Sequence, residues 1–440
     1  MKFHILLSSL SLCVGLASAS DSMKRPDNFK EIIDPLTSFH VSKQGRLRPD
    51  LKFNWGGKVN MAYFTSWSIY ARKFTPLDID ASTLTHLYYA FCDMDPVTGT
   101  AILSDLWADQ QIAYPGDDTS APGNNLYGNL KQLYLLKKKN PTLKTVLSCG
   151  GWTFSQAGHF AFATNKTSRA TFVKTAVQLL EDNGFDGLNI DWEYPQAGEE
   201  AEAFVSLLSE LRRALNALAK KKGDKQPYEL NVAVPAGSQN YQNLQVKKMN
   251  KHVTFWSIIA YDYGGPWSPV VDYLDNVKGG VSGVSTEATA RWYVENGADV
   301  QKIVIGAPLY GRGFENTDGM FKPFNGVGPG TWDAGQYDYK ALPFPNATVH
   351  DDLEAIASYS YDPAKRQLIT YDTPAIATLK AIWTITQGYR GMYFWELSGD
   401  KNGTESLVAN AAKALMVLDS TPNHLNYPGS QFANMRAGMN

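Results

Sequence analysis

Asn189, Asp191 and Glu193 stand at alternate positions of the stretch 185–195, with Leu188, Ile190 and Trp192 between them. In an extended strand successive side chains point to opposite faces, so the amide and the two carboxylates share one face at about 6.6 Å intervals. The apolar face belongs against helices. The polar face belongs in a cavity, because buried charges are costly unless paired or hydrogen-bonded. Crowded carboxylates raise one another's pKa, and a general acid working near neutral pH needs that rise. Pro195 stops the strand. The pattern therefore points to acid–base chemistry at a strand end. A solvent-exposed acidic edge is the weaker reading, because the opposite face is apolar throughout.

The elements around this stretch alternate between strand and helix from residue 58 onward, the pattern of a parallel sheet with crossover helices. Strands are expected at 59–64, 84–91, 143–148, 185–194, 228–234, 253–261, 302–309 and 391–395. Between them, helices are expected at 126–139, then from a Ser168 cap to Gly184, then at 199–222, 285–296 and 374–387, with a closing helix at 407–418. The helix at 199–222 has the clearest apolar stripe, Phe204, Leu207, Leu208, Leu211, Leu215 and Leu218. A loop rich in Asp, Pro and Gly runs to about residue 125. The alternation breaks at about 315–372, too long for a structureless loop, so a small α+β insertion is expected there. The fold expected is α/β: a (β/α)₈ TIM barrel over residues 58–418, with that insertion between strands 7 and 8.

Barrel enzymes build their sites at the carboxyl ends of the strands. Those ends carry Tyr63, Phe91, Trp152, Tyr261 and Tyr263, Tyr310, and Trp395, beside Asp191 and Glu193; only the fifth, running into Pro235-Ala236-Gly237, offers no ring. Rings gathered at one rim suit a pyranose, whose apolar face packs on aromatics while its hydroxyls need hydrogen bonds.

Residues 186–193 resemble the signature D-x-x-D-x-D-x-E of glycoside hydrolase family 18, the chitinases. Asp186, Asp191 and Glu193 match, Asn189 stands where the family usually has Asp, and the flanking Gly187, Trp192, Tyr194 and Pro195 match as well. Ser148-x-Gly150-Gly151 resembles the third-strand signature, and Tyr261-Asp262 the pair that holds a substrate N-acetyl group, with Ile259 in place of the usual Met. Tyr310-Gly311-Arg312 resembles the seventh-strand substrate contacts, and Trp395 the floor under the −1 sugar. The resemblance implies hydrolysis of chitin and chitooligosaccharides with no cofactor. It places Glu193, Asp191 and Tyr261 in catalysis. The substrate would meet Tyr63, Phe91, Trp152, Asn189, Tyr194, Ala236, Ile259, Asp262, Tyr310, Arg312 and Trp395.

The mechanism it implies is substrate-assisted and retaining, an exception to the two-carboxylate scheme. Glu193 would protonate the glycosidic oxygen, the substrate's acetamido oxygen would attack C1, Asp191 would hold the acetamido N–H, and Tyr261 would orient the group. Asn189 cannot ionise but could donate a hydrogen bond to Asp191, and the missing charge should lower the pKa of both carboxylates. Two rival readings share the barrel: a chitin-binding lectin without turnover, against which the presence of Glu193 counts, and an endo-β-N-acetylglucosaminidase acting on N-glycans.

Lys2, an apolar run over 5–16 and Ala17-Ser18-Ala19 read as a signal peptide, residues 1–19. A polar pro-segment or arm is expected at 20–57 and a polar tail at 419–440. Sequons at Asn165, Asn346 and Asn402 agree with secretion. A net charge of −2 suggests neither nucleic acid nor anionic membrane as a partner, and a monomer is expected. No HExxH or CxxC occurs and the His residues are scattered, so no metal site is expected. Cys13 would leave with the signal peptide. Cys92 and Cys149 read as buried free thiols, with a bridge between neighbouring strands as the alternative.

Overall fold

The computed structural model describes residues 57–439. The expected signal peptide, with Cys13, and the expected arm up to residue 56 lie outside the described residues. Eight parallel strands close into a barrel: β1 (Val59–Thr65), β2 (His86–Met94), β4 (Lys144–Gly150), β5 (Gly187–Asp191), β6 (Glu229–Pro235), β7 (Phe255–Ile259), β8 (Ile303–Pro308) and β14 (Gly391–Trp395). Their order is β1-β14-β8-β7-β6-β5-β4-β2, and pairing of β1 with β2 completes the ring.

The two-residue period of the strands sorts the core. Val59, Met61 and Tyr63 of β1 point inward and cluster with Tyr88, Val146, Phe255, Val304 and Tyr393. Ala62 and Phe64 point outward into the helix layer. Branched aliphatics usually fill such an interior, but here Val59, Val146 and Val304 share it with aromatic and polar side chains. His86 Nε2 lies 2.8 Å from Glu229 Oε1, and Asn231 donates to the Tyr88 hydroxyl at 2.7 Å.

The outer layer includes α1 (Gly128–Lys139), α2 (Lys166–Asn183), α3 (Glu199–Lys222), α4 (Thr286–Glu295), α5 (Pro374–Thr386) and α6 (Leu407–Ala414). α3 buries its whole predicted stripe and sets Glu199, Glu200 and Glu202 at its amino end and Lys220–Lys222 at its carboxyl end, which suits the helix dipole. α2 is capped by Asn165 rather than Ser168. The Asn165 oxygen accepts the N–H groups of Thr167 and Ser168, while the Ser168 hydroxyl donates to Val97 O at 2.7 Å.

The expected loop before residue 125 holds more structure than its composition suggests. β3 (Ala101–Leu103) pairs antiparallel with β2, and a helical turn, Trp107–Gln111, follows it. The insertion begins earlier than expected, at β9 (Tyr310–Phe314), directly after β8. With β10 (Gln336–Asp338), β11 (Thr348–Asp352), β12 (Ala357–Asp362) and β13 (Gln367–Thr370) it forms a five-stranded antiparallel sheet. Lys380 of α5 ties it down: the buried ammonium lies 2.5 Å from Asp275 and 2.8 Å from Asp372.

Two expectations are corrected here. Cys92 and Cys149 are joined in a disulfide, because adjacent β2 and β4 set them opposite each other with Cα atoms 4.4 Å apart. The segment after residue 418 is not a loose polar tail, for it buries Tyr427, Phe432 and Met435 against the barrel. Its anchor is Asp186, whose buried carboxylate accepts the N–H groups of Thr145 and His424, both at 2.7 Å, and pairs with Lys137 at 2.7 Å. Asp186 thus sits at the end of β5 away from Asp191 and works as a structural clasp.

Candidate active site

Asp191 closes β5, and Glu193 follows two residues later in partly buried surroundings. The segment after β4 fixes this strand end. Gly151 N donates to Asp191 O at 2.8 Å, Glu193 N donates to Ser155 Oγ at 2.9 Å, and Gln156 Nε2 donates to Glu193 O at 2.6 Å. The two glycines are required by space as well as by their positive φ angles. A Cβ on Gly150 would lie 2.3 Å from Asp191 O, and one on Gly151 would lie 2.5 Å from the Phe91 ring.

Burial raises the pKa of Asp191 well above the usual carboxylate range, and the neighbouring Glu193 charge adds to the rise. Burial also pushes Glu193 up to about 7, with a hydrogen bond from Tyr194 acting the other way and Asp262 adding to the rise. Asp191 Oδ1 is buried with no hydrogen-bond partner among the described residues. A protonatable group near neutrality therefore stands beside a carboxylate with one oxygen to offer a ligand.

Asn189 does not make the expected bond to Asp191. Its amide nitrogen donates instead to Ser148 Oγ on the neighbouring β4 at 2.9 Å and, across the barrel interior, to the Tyr63 hydroxyl at 3.1 Å. Its Oδ1, like Asp191 Oδ1, has no partner among the described residues. Two oxygens had claimed the donor end, so the acceptor end is what remains.

Beyond β7, Tyr261 brings its hydroxyl within 3.4 Å of Tyr393. Burial raises the Tyr261 pKa well above 10 and keeps it a hydroxyl donor. Asp262, at φ 61°, holds Arg312 through Nε at 2.9 Å. Arg312 in turn lies 5.3 Å from the ring centres of both Tyr310 and Trp267. Trp395 contacts Tyr63 edge-on at 4.9 Å and stacks with Phe91 at 5.6 Å, giving an aromatic floor.

Other expected residues are placed less centrally. Trp152 is 59% exposed at the start of a short helical turn. Ala236 is buried, its carbonyl accepting from Thr289 at 2.9 Å, and Ile259 is the part-buried last residue of β7. Sequence reasoning missed Tyr393 and Trp67. Tyr393 stands two residues before Trp395, so strand alternation already put both on one face. Trp67, 40% exposed and 6.1 Å from Phe91, extends the ring series past β1. Among the described residues no group of three or more His, Cys, Asp or Glu could hold a metal ion.

Comparison with known proteins gives the family and the fold of the chain. The family model described as glycosyl hydrolases family 18 matches residues 59–400. Chitinase 1 of Aphanocladium album is 41% identical over 389 residues, which cover 87% of this chain and 92% of that protein. Endochitinase 1 of Metarhizium robertsii is also 41% identical over 389 residues, covering 87% and 91%. Among solved structures, the catalytic domain of psychrophilic chitinase B from Arthrobacter TAD20 superimposes with a TM-score of 0.75 at 27% identity, covering 85% of this chain and 98% of that one.

Proposed function

The chain belongs to glycosyl hydrolases family 18, and from that premise we propose that it hydrolyses chitin and chitooligosaccharides by a retaining, substrate-assisted mechanism. The observation that carries this reading is the pairing of Glu193, pushed up to about 7, with a buried Asp191 whose Oδ1 has no partner among the described residues. Glu193 arrives protonated and gives its proton to the glycosidic oxygen. The acetamido oxygen of the sugar in the −1 position then forms a bond to C1 as the C1–O bond to the leaving sugar breaks. Asp191 accepts the acetamido N–H and offsets the positive charge of the oxazolinium ion. Tyr261 donates to the acetamido oxygen and so orients it for attack on C1. Glu193, now a base, takes a proton from water, whose oxygen bonds to C1 from the face the leaving group vacated as the C1–O bond to the acetamido oxygen breaks and its electron pair returns to the acetamido group.

The aromatic floor of Trp395, Phe91 and Tyr63 supports the sugar face, with Tyr194, Tyr310, Asp262 and Arg312 as polar contacts for hydroxyls and Trp152 at the open end. The enzyme acts within chains, as a secreted glycoprotein monomer, with the signal peptide cut after Ala19. In support of secretion, the sequons at Asn165, Asn346 and Asn402 are all exposed. No helix among the described residues is long and apolar enough to cross a membrane.

NMR of a chitin-hexamer digest in its first minutes, beside Glu193→Gln, tests the proposal. Fresh β-anomer from the wild type and none from the variant is the expected result. Fresh α-anomer would mean inversion and end the acetamido mechanism. Binding of the hexamer without cleavage would favour a lectin.

A further inference from the structure

The sequon at Asn165 lies at one end of an open groove that plays no part in the proposed reaction. Asn165 is exposed and caps α2 through Oδ1, which accepts Thr167 N at 2.8 Å and Ser168 N at 3.2 Å. Its side-chain nitrogen, the atom that N-glycosylation uses, makes no hydrogen bond to another described residue. A glycan on that nitrogen leaves the carbonyl oxygen, and so the cap, in place.

The groove begins at Lys166, the next residue. It runs between α2 and α3 over an apolar floor of Ala170, Val173, Val177 and Ala214, and encloses about 530 Å³. That volume falls within the usual range of small-ligand sites, about 300–1,000 Å³. Residues 166–177 extend about 16 Å along the helix, so the groove is elongated and suits an oligosaccharide leaving Asn165. The floor matches the apolar face of a pyranose, and Lys166, Lys174 and Arg213 on its rim can donate to hydroxyl and acetamido oxygens.

We propose that Asn165 carries an N-linked glycan whose first sugars lie in the groove between α2 and α3. The inference rests on the secretory reading above. In the attachment step the Asn165 side-chain nitrogen loses a proton and bonds to C1 of the first N-acetylglucosamine. The C1–O bond to a lipid-linked diphosphate donor breaks, and the diphosphate leaves with the electron pair.

The test uses the full chain secreted from a eukaryotic host. Peptide mass mapping should find the glycan on Asn165. An endoglycosidase should release it from the native protein about tenfold more slowly than from the denatured protein, the protection expected from about 1.4 kcal/mol of sugar contacts. Ala170→Glu, at an exposed position in the groove floor, should abolish most of that protection. Thr167→Ala should remove the glycan while leaving the cap and the rate on chitin oligomers unchanged. A bare Asn165 in secreted protein would overturn the proposal. So would equal release from native and denatured forms, or protection that survives Ala170→Glu. Protein retained in the cell with every sequon bare would overturn both this inference and the secretory reading. A glycosylated, protected Asn165 on a protein that fails to cleave chitin would support the inference and count against the proposed reaction alone.

Discussion

In the proposed mechanism Glu193 is protonated when substrate arrives, so its ionisation would set the alkaline limb of the rate profile. With Glu193 near 7, kcat/KM should fall as pH rises through about 7, which a pH series on a soluble oligomer checks. Asn189→Asp would add a carboxylate on the same strand face. The added negative charge raises the pKa of Asp191 and Glu193, so the alkaline limb should move upward. An unmoved limb, or one displaced toward acid, would refute that electrostatic account. Asp186 belongs to the same signature but to different physics. Asp186→Ala would leave the buried Lys137 ammonium without its ion partner, a loss that typically costs about 3–5 kcal/mol. Denaturant unfolding should record that loss, while kcat of the folded fraction stays near wild type.

At the scale of elements, the site depends on segments that are not catalytic themselves. The turn after β4 fixes the end of β5 through three backbone-directed bonds, and only glycine fits at its two closest approaches. The insertion is held to the barrel by the buried Lys380 between Asp275 and Asp372. Lys380→Met would strand two buried carboxylates, at about 3–5 kcal/mol. Asp372 already has a pKa well above the ordinary carboxylate value, from burial and from Asp275. A raised folded-state pKa means that stability is retained at low pH and lost as pH rises. The variant should therefore lose less stability at pH 5 than at pH 8, and urea melts at the two values would show it.

At the scale of the whole molecule, two long-range connections close the fold. The Cys92–Cys149 bridge joins β2 to β4 across 57 residues beside the Gly150-Gly151 turn. Replacing both cysteines with Ala should cost about 2–4 kcal/mol, seen as a lower Tm under oxidising conditions and as no difference after reduction of the parent. The C-terminal segment closes the opposite end of the barrel, where Tyr427 accepts from Lys137 at 3.0 Å and donates to Phe185 O at 2.9 Å.

What the sequence determined by itself is what local periodicity encodes. Strand alternation at 187–191 put Asn189 and Asp191 on one face, and helical spacing at 199–222 laid out the buried stripe of α3. The strand–helix alternation made the barrel legible, and the strand ends then named most of the rings around the carboxylates. Only the tertiary structure decided which atoms each of these side chains meets. The Asn189 amide turned to Tyr63 and Ser148 because the Tyr63 hydroxyl reaches it from β1 across the interior and the register of β4 on β5 sets Ser148 beside it. The cysteines bonded because the register of β2 on β4 set them opposite each other. The polar composition of residues 419–440 concealed a few apolar anchors whose burial depends on the barrel end they cover. Such partners are distant in the chain, and no periodicity within a segment records them.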